Sequence, residues 1–427
     1  MVRIRPFAAL RPREELAARV ASVPYDVVDR AEARRLAADN PLSFLHVVRP
    51  DIDLPDEAKP DSEAAYAQAR VALEQMVSDG ALVREDTPRL YLYRQEVQLL
   101  GKRVSQVGVV ACCHIDDYLN DTIKKHEKTR KDKEDDRTRH VLSLRANTGP
   151  VFLAYRPERA VDALIARDSS QAPLYDFEAE DGVRHTVWAA RDAEAYRAAF
   201  EGVATAYVAD GHHRSASAAR AGAELRKQNR SHTGDEEYNW YLCVLFASTQ
   251  LNVLPYHRVV RDLGSMTATQ FLERLCEVAC VEPHGEPSSE PNGEPSGQAG
   301  GAGADSPGSF AMYLEGRWYR VALPKDSVDA QHPINSLDYV LLYDRILAPL
   351  LGIGDIRTDR RIDFVGGIHG AAGLAARVDS GAWKVAFAMR SLSVEQLMRV
   401  ADAGEIMPPK STWFEPKLRS GLLIHTF

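Results

Sequence analysis

The 427-residue chain contains no apolar run that approaches the roughly 18 residues needed for a membrane helix. Its first residues include Arg3, Arg5, Arg11 and Arg13, which interrupt the apolar core that a secretory signal requires. The five cysteines form no Cys-x-x-Cys pair, so the sequence favours reduced thiols in the core over a disulfide framework. Together these absences predict a cytoplasmic protein.

Positive charge is also scarce. Lysine and arginine number 53 against 61 aspartates and glutamates, which gives a formal net charge of -8 at pH 7. A protein that binds nucleic acid mainly through phosphates needs a basic balance or a concentrated basic face, so the total charge weighs against that class. With 45% hydrophobic and 27% charged residues, the composition is that of a globular chain. The length predicts two or three domains or one elaborated domain.

Helical and strand patterns alternate from the beginning of the chain, which indicates an α/β protein. Residues 62–78 have apolar side chains at helical spacing, and residues 89–99 and 103–114 are typical of paired strands around a turn at Leu100-Gly101. Further along, residues 204–209 predict a strand, and an alanine-rich helix is expected from Ser215.

Residues 283–309 break this pattern. Proline, glycine, serine and glutamate replace nearly all apolar residues there, and the unit GEPS recurs, which predicts a flexible insertion. The chain therefore divides into an N-terminal and central α/β region at 1–282, the insertion at 283–309, and a C-terminal α/β region at 310–427.

The most informative motif is Tyr207–Arg214, YVADGHHR, between the predicted strand and helix. Glycine allows the backbone to approach a ligand closely, amides at a helix start face an anion, and His213 and Arg214 add charged donors for phosphoryl oxygens. Asp210 is suited to holding a metal ion or orienting a hydroxyl. The alternative is an Asp-Gly turn whose histidines cap the helix. Adjacent histidines rarely point to one ion, so the pair alone does not favour a metal site.

A second candidate is the polar stretch 124–140, KKHEKTRKDKEDDRTRH, which begins with Lys125, His126 and Glu127. Phosphoryl transfer needs cations to neutralise the transferring group and a carboxylate to bind magnesium or take the acceptor proton. The alternative is a solvated helix with Glu and Lys pairs at helical spacing. Because almost no residue here is apolar, the stretch is expected to be solvated or functional rather than packed.

A third candidate lies near the C-terminus at 404–418, GEIMPPKSTWFEPKL. Its two lysines and two hydroxyl side chains, held by rigid prolines, are compatible with an anion-binding loop to which Lys410 contributes. The alternative is a proline-stiffened tail that packs Trp413 and Phe414 on the core.

Six motifs in this order resemble the domain-of-unknown-function family 1015, and the resemblance runs nearly end to end. The motifs are Pro24–Val27, Asn40–Phe44, His126–Thr129 with Glu134–Arg137, Asp210–Arg214, Leu254–Arg258 and Met407–Gly421. The Asp-Gly-His-His-Arg motif is also similar to that of free L-serine kinases of the ParB and sulfiredoxin-like superfamily. This implies an α/β (α+β) fold with mixed sheets and a ParB/sulfiredoxin-like phosphate-binding core, elaborated at both termini.

The resemblance to the serine kinases implies phosphoryl transfer from pyrophosphate or a nucleotide, ATP or ADP, to free L-serine, which gives O-phospho-L-serine. The residues assigned to phosphate binding are Lys125, His126, Gly211, His212, His213, Arg214 and Lys410. The residues assigned to catalysis are Glu127, Asp210 and His213. Asp210 and Glu127 are also the predicted ligands of Mg²⁺. The expected partners are small-molecule substrates, with no membrane and no nucleic acid.

Other functions remain compatible with the same residues. Water in place of serine would give a phosphohydrolase that acts on pyrophosphate, a nucleotide or a phosphoester. A ParB-like nucleotide-dependent binding protein and a metabolite binder are the non-catalytic alternatives. The chain has no Walker GxxxxGK[ST] motif and neither the HRD nor the DFG motif of protein kinases, so any phosphate loop here differs from those of both groups.

Overall fold

The structure of the protein, a computed structural model, describes residues 1–285, 307–329, 331–408 and 410–427. The chain forms two units. The first contains Met1–Gln98, Arg103–Leu251 and Pro416–Phe427, and the second contains Leu99–Lys102 and Asn252–Glu415. Residues 286–306 of the predicted insertion lie outside the described residues. The division at 282 and 310 stays a prediction, and the two units are bounded at other positions.

The first unit carries a large sheet with helices around it. Its strands, in chain order, are β1 (Ile4–Arg5), β2 (Leu10–Pro12), β3 (Leu82–Arg84), β4 (Tyr91–Leu99), β5 (Lys102–His114), β6 (Ile123–Lys124), β7 (Ala146–Asn147), β8 (Val151–Tyr155), β9 (Tyr175–Glu178), β10 (Arg184–Ala189), β11 (Ala206–Asp210) and β12 (Trp240–Ala247). Its helices are α1 (Ala17–Val20), α2 (Arg30–Ala37), α3 (Leu45–Val48), α4 (Glu63–Ser78), α5 (Ile115–Leu119), α6 (Lys131–Leu144), α7 (Arg159–Asp168), α8 (Ala193–Phe200) and α9 (His212–Gln228).

This sheet is mixed, which confirms the predicted α/β class. The strand order is β6-β11-β8-β12-β5-β4-β10-β9, and β1 pairs with β5. Strand β6 is parallel to β11, and β12 is parallel to β8, whereas β11 and β8 are antiparallel. Strands that are adjacent in this sheet are often distant in the chain. The edge that contains β6 and β11 is therefore formed by long-range strand pairing and not by hairpins.

Several local predictions are confirmed. Helix α4 begins after Ser62, whose hydroxyl accepts a hydrogen bond from the backbone N–H of Ala65. The turn between β4 and β5 lies at Leu100-Gly101, and both residues have positive φ. Helix α9 begins at His212, three residues earlier than expected, so the histidines and the arginine of the motif occupy its first turn.

The expectation that the polar stretch 124–140 lacks a packed face is wrong for its second half, which forms most of α6. Arg137, Thr138 and His140 are buried there. They are buried with hydrogen bonds in place of apolar contacts: the His140 ring bonds to the carbonyl of Val47 at 2.9 Å, and the Thr138 hydroxyl donates to the carbonyl of Glu134 at 2.7 Å. The polar composition therefore did not reveal that one face of this helix is buried.

The five thiols are free, as predicted, but not all are in the core. Cys112, Cys113 and Cys243 are buried, whereas Cys276 and Cys280 are exposed. The prediction of core thiols is wrong for these last two, since their segment lies at the surface of the second unit.

The second unit has its own sheet. Its strands are β13 (Asn252–Leu254), β14 (Tyr256–Val260), β15 (Cys280–His284), β16 (Ser309–Leu314), β17 (Arg317–Ala322), β18 (Ile362–Gly366), β19 (Val385–Ala388) and β20 (Trp413–Glu415), and its helices are α10 (Ala268–Cys276), α11 (Asp338–Leu342), α12 (Ala348–Leu351), α13 (Gly370–Asp379) and α14 (Val394–Asp402). The sheet order is β15-β17-β16-β19-β14-β18, and β13 pairs with β20. The last strand of the chain, β21 (His425–Thr426), pairs with β7 of the first unit. Among the described residues, no helix combines the length and apolar character needed to cross a membrane.

Helix α9 carries the motif residues in its first turn, and its other face is packed tightly. Ala216, Ala218 and Ala219 belong to the core cluster of the first unit. A Cβ atom at Gly222 would lie 2.5 Å from the carbonyl oxygen of Tyr238 and 2.6 Å from Cδ1 of Ile115. Only glycine fits at this approach, so the axis of α9 is fixed relative to its neighbours.

We predict that Gly222→Ala destabilises the protein by about 1–2 kcal/mol, although alanine is the better helix former by about 1 kcal/mol. The clash with backbone at Tyr238 outweighs the gain in propensity. Urea unfolding followed by circular dichroism measures the change. Lys227→Ala, at an exposed position of the same helix, is the control and should change stability by less than about 0.5 kcal/mol. A Gly222→Ala protein as stable as the native one would contradict the packing described.

Candidate functional site

The sheet brings two of the predicted motifs to one edge. Strands β6 and β11 are adjacent and parallel, with Lys124 paired to Tyr207. Parallel strands end at the same edge, so His126 and Glu127, which follow β6, lie beside the end of β11 and the residues after it. Open α/β sheets usually bind ligands at the carboxyl ends of their strands.

The turn after β11 has the form expected of an anion site. The register of β11 against β8 shifts between Val208 and Asp210, which marks a bulge where the strand ends. Gly211 follows with a φ of 96°, a left-handed conformation that favours glycine. The N–H of Ser215 bonds to the carbonyl of Gly211, so the three preceding amides of α9 have no acceptor within the helix. No side chain caps this end.

Asp210 holds two cationic side chains at the turn. Its Oδ1 accepts a hydrogen bond from Nζ of Lys417 at 2.9 Å, and its Oδ2 accepts one from Nη2 of Arg214 at 2.5 Å. Burial by itself would raise the pKa of Asp210, but the charges of Lys417 and Arg214 outweigh burial and hold that pKa well below its usual range. The three side chains together carry one net positive charge.

Arg214 is held on both sides. Its Nη1 donates to the carbonyl of Pro150, and its guanidinium lies against Gly211. A Cβ atom at Gly211 would come within 3.0 Å of Nε of Arg214. Burial lowers the pKa of Arg214, but the charge of Asp210 and then that of Asp26 more than compensate, so the group stays a cation. Glycine at 211 therefore serves both the backbone conformation and the position of the guanidinium.

Lys417 is a site residue that the sequence analysis did not assign. It lies in the final segment of the first unit, where Nε2 of Gln95 donates to its backbone carbonyl at 2.8 Å and Nε2 of Gln106 donates to Oε1 of Gln95 at 3.0 Å. Two residues later, Nε of Arg419 lies 3.2 Å from Nε2 of His185. The C-terminal motif contains both Lys410 and Lys417, and the presence of two lysines is the sequence signal for this residue.

His126, Glu127 and His212 form a second group at this edge, which we call the histidine-glutamate cluster. The two imidazole rings meet edge to face with centroids 4.5 Å apart. Nδ1 of His212 lies 4.0 Å from Oε2 of Glu127. One potential ligand atom from each of the three residues lies within 4.8 Å of those from the other two.

Both histidines of the cluster are kept neutral by their surroundings. Burial lowers the pKa of His126 to about 4, although a hydrogen bond to the backbone of Val208 raises it slightly. Burial, followed by the charge of His126, holds the pKa of His212 well below its usual range. His212 is 7% exposed, and its Nε2 is buried with no hydrogen-bond partner among the described residues.

His213 has a different environment from His212. Its Nε2 accepts a hydrogen bond from the backbone N–H of Arg130 at 3.0 Å, which links the start of α9 to the start of α6. Burial lowers the pKa of His213. A neutral ring that accepts at Nε2 carries its proton on Nδ1. The predicted catalytic and phosphate-binding roles of His213 stay predictions.

Two other lysines, Lys125 and Lys410, were also predicted to bind phosphate. Lys125 contacts other residues of the first unit, and Lys410 belongs to the second unit. Nζ of Lys125 donates to the carbonyl of Tyr118 at 3.0 Å and pairs with Asp121 at 2.6 Å. Lys410 belongs to the second unit, where its Nζ lies 3.5 Å from the hydroxyl of Tyr256. Their assignment to phosphate binding stays a prediction.

The acidic residues of α6 are occupied by ion pairs. Oε1 of Glu134 and Oδ1 of Asp135 both accept from Nη1 of Arg220 at 2.8 Å. Lys131 pairs with Asp135 one helical turn away, at 2.8 Å. These contacts agree with the alternative of a helix with charged pairs, and they join α6 to α9.

The carboxylates predicted to bind Mg²⁺ do not form a joint site. Both oxygens of Asp210 already accept hydrogen bonds from cations, and Glu127 lies with two imidazoles. Mg²⁺ prefers six oxygen ligands and dehydrates reluctantly, so imidazole nitrogens and a doubly paired aspartate suit it poorly. The residues as they stand do not fit a protein-held Mg²⁺ on Asp210 and Glu127.

A cavity lies next to the turn within the first unit. It is bounded by apolar side chains together with polar ones, and Arg214 forms part of its wall. The polar lining residues are Tyr25, Arg137, His140, Asn147, Thr148, Ser217 and Ser420. The cavity has a volume of about 40 Å³, which is room for a few water molecules, and its lining offers hydrogen-bonding groups beside apolar ones.

The family model described as protein of unknown function (DUF1015) matches residues 4–340, and the chain therefore belongs to this family. No curated protein matches the chain.

Among solved structures, the chain is similar to a free serine kinase in complex with AMP, with 14% identity and a TM-score of 0.36 over 74% of this chain and 91% of that one. It is also similar to C-terminally truncated SbnI from Staphylococcus aureus, with 11% identity and a TM-score of 0.38 over 74% of this chain and 87% of that one. A conserved hypothetical protein from Pyrococcus furiosus has 14% identity and a TM-score of 0.34 over 74% of this chain and 94% of that one.

We predict that Lys417→Met destabilises the protein by about 2 kcal/mol at pH 7, because Asp210 then keeps only one of its two cations at a partly buried position. The low pKa of Asp210 means that the ion pairs stabilise the folded state fully above the pKa of an unfolded aspartate, about 3.9. The loss should therefore be constant between about pH 8 and 5 and shrink only below about pH 4, as Asp210 takes up a proton.

Urea unfolding of both proteins across this pH range checks the expectation. Lys131→Met is the matched control, since it removes a Lys–Asp pair of similar length whose lysine is 86% exposed, and it should cost less than about 1 kcal/mol. Equal losses for the two variants would show that the Lys417 pair is no stronger than a surface pair.

Proposed function

We propose that this DUF1015 protein is a small-molecule kinase that transfers a phosphoryl group from a nucleotide, ATP or ADP, or from pyrophosphate to free L-serine. The observation that carries the proposal is the turn between β11 and α9. There the free amides of a 17-residue helix, the left-handed Gly211 and the partly buried cations Arg214 and Lys417 occur together.

Each part of this turn suits a phosphate group. Helix N-terminal amides and the helix dipole favour an anion, and glycine lets the phosphate approach the backbone. Arg214 and Lys417 supply cations that Asp210 fixes in place, and the net positive charge remains after pairing. Most of the acceleration in phosphoryl transfer comes from such positioning and charge stabilisation, so no covalent intermediate is required of the protein.

The acceptor is the finer part of the proposal and depends on the Asp-Gly-His-His-Arg motif, which is similar to that of free L-serine kinases. In the reaction, the serine hydroxyl oxygen forms a bond to the transferred phosphorus, and the bond from that phosphorus to the donor's bridging oxygen breaks. The electron pair leaves with that oxygen, and the hydroxyl proton passes to a base. Glu127 has two proposed roles, the base that takes this proton or a ligand of the metal ion.

The cavity beside Arg214 supports a small acceptor. Its polar wall, with Asn147, Thr148 and Ser217, offers hydrogen-bonding groups for an amino acid, and Arg214 is shared with the phosphate turn. A serine bound there would have its hydroxyl next to the transferring group. Mg²⁺ remains part of the proposal as an ion that a nucleotide or pyrophosphate brings with it, since phosphates and water supply the oxygen ligands it prefers.

Phosphorus NMR tests the function directly. The purified protein with Mg²⁺ and L-serine is offered ATP, ADP or pyrophosphate in separate samples, and we expect the resonance of O-phospho-L-serine in at least one. His213→Ala should lower the initial rate by at least about 100-fold, because a group beside the phosphate turn is removed. His232→Ala is the matched control: that histidine pairs with Glu236 at the surface and should not affect the rate.

Two other outcomes would replace the proposal. Release of inorganic phosphate that does not depend on serine would indicate a phosphohydrolase. If no donor is consumed in any sample while the protein is folded, as judged by its thermal melting, phosphotransfer to serine is excluded. A binding protein would then be the better account of the turn.

We further predict that Gly211→Ala lowers kcat/KM by at least about 100-fold. An alanine at a φ of 96° is strained by about 1–2 kcal/mol, and its Cβ would displace the Arg214 guanidinium that Asp210 and Pro150 hold. Gly234→Ala provides the matched control, because Gly234 has a φ of 101° but no atom within 4 Å of the added Cβ. Similar losses in both variants would mean that backbone strain, not the position of Arg214, determines activity.

A further inference from the structure

The histidine-glutamate cluster has the composition of a transition-metal site. It offers two imidazole nitrogens and one carboxylate from residues that two chain segments, the end of β6 and the start of α9, bring together. Two histidines and one carboxylate are a donor set used for Zn²⁺ and for other divalent first-row ions with open coordination positions. Sequence spacing could not show this, because the second histidine, His212, lies 86 residues after the first, His126.

We propose that His126, Glu127 and His212 bind one divalent first-row transition-metal ion, with Zn²⁺ the best matched. The proposal goes beyond the kinase assignment and does not depend on it. It also places the metal on the cluster rather than on Asp210.

The distances between the three candidate ligand atoms are slightly longer than those around a bound ion, so the side chains would move closer together on binding. Ligand atoms around a tetrahedral ion with bonds of about 2.1 Å lie about 3.4 Å apart. The three candidate atoms already lie within 4.8 Å of one another, so shifts of about 1 Å in side-chain position suffice. Glu127 is more exposed than either histidine and can make most of this movement, whereas the histidines are held by burial.

The placement of the histidines supports the proposal. Both side chains are buried, and their rings meet edge to face with centroids 4.5 Å apart, so both are held close to the position of a shared ion. His212 is more than nine-tenths buried, and the absence of a hydrogen bond to its Nε2 among the described residues is costly unless something else contacts that ring. A metal bound to His212 would supply such a contact or lock the tautomer of the ring.

The donor set also indicates what the ion would do. Three protein ligands leave at least one position for an oxygen of water or substrate, as in catalytic rather than structural zinc sites. A hydroxyl bound to such an ion loses its proton more easily. Glu127 would then act as a ligand, and the proton of the bound hydroxyl would pass to water or to a phosphate oxygen of the substrate.

The test uses the full chain, freed of metal with a chelator, in the absence of nucleotide and phosphate. Titration with Co²⁺ should produce visible d–d absorption bands that saturate at one ion per chain, and Zn²⁺ should abolish them by displacement. A 100-fold excess of Mg²⁺ should not, because imidazole donors favour later first-row ions. Since no phosphoryl donor is present, the result is independent of whether the protein is a kinase.

Variants assign the ligands. His212→Ala and Glu127→Gln should each weaken Co²⁺ binding at least about 10-fold. Glu127→Gln keeps the shape of the side chain and lies at a partly exposed position, so it remains informative if His212→Ala fails to fold. His213→Ala, next to His212 but outside the cluster, should leave the spectrum and affinity unchanged.

The proposal is overturned if the native protein shows no visible band and binds less than one tenth of an equivalent of Co²⁺. It is equally overturned if affinity is the same in the native protein and in both ligand variants, or if Mg²⁺ displaces Co²⁺ at equal concentration, which would indicate an oxygen-only site.

Discussion

The ion pairs of Asp210 with Lys417 and Arg214 are the interaction on which the site depends. Two cations next to each other at a helix N-terminus repel one another and the positive end of the helix dipole, so a carboxylate between them is needed to hold both in place. Asp210 makes their proximity possible and still leaves one net positive charge. It also ties the last segment of the first unit to the end of β11, so the site is complete only when the tail is in place.

The first turn of α9 serves two environments at once. His212 and Arg214 are two residues apart on the helix, which at 3.6 residues per turn places them on nearly opposite sides. His212 therefore faces the residues that follow β6, whereas Arg214 faces Asp210, Pro150 and the cavity. This spacing explains how one short motif contributes both to a nitrogen-rich cluster and to an anion site without the two groups competing for the same partners.

The features that were predicted correctly from the sequence depend on interactions between residues close together in the chain. The cap at Ser62, the turn at Leu100-Gly101 and the strand, glycine turn and helix around Gly211 follow from dihedral preferences and periodicity within a few residues. The choice of Lys410 over Lys417 could not be made in that way, because the contact of Lys417 with Asp210 spans 207 residues and depends on hydrogen bonds from Gln95 and Gln106. Lys125 shows that proximity in the chain can also mislead. It is next to His126, but its ammonium contacts the carbonyl of Tyr118 and the carboxylate of Asp121.

The two proposals fit one electrostatic argument. A divalent ion on the histidine-glutamate cluster would leave a net charge of +1 there after the carboxylate of Glu127 is counted, and the group of Asp210, Arg214 and Lys417 contributes another +1. Two positive charges at one sheet edge match the negative charge that must be screened when a terminal phosphoryl group is transferred. The overall charge of -8 does not oppose this, because screening beyond about 10 Å makes the local arrangement, and not the total, decisive for a bound phosphate.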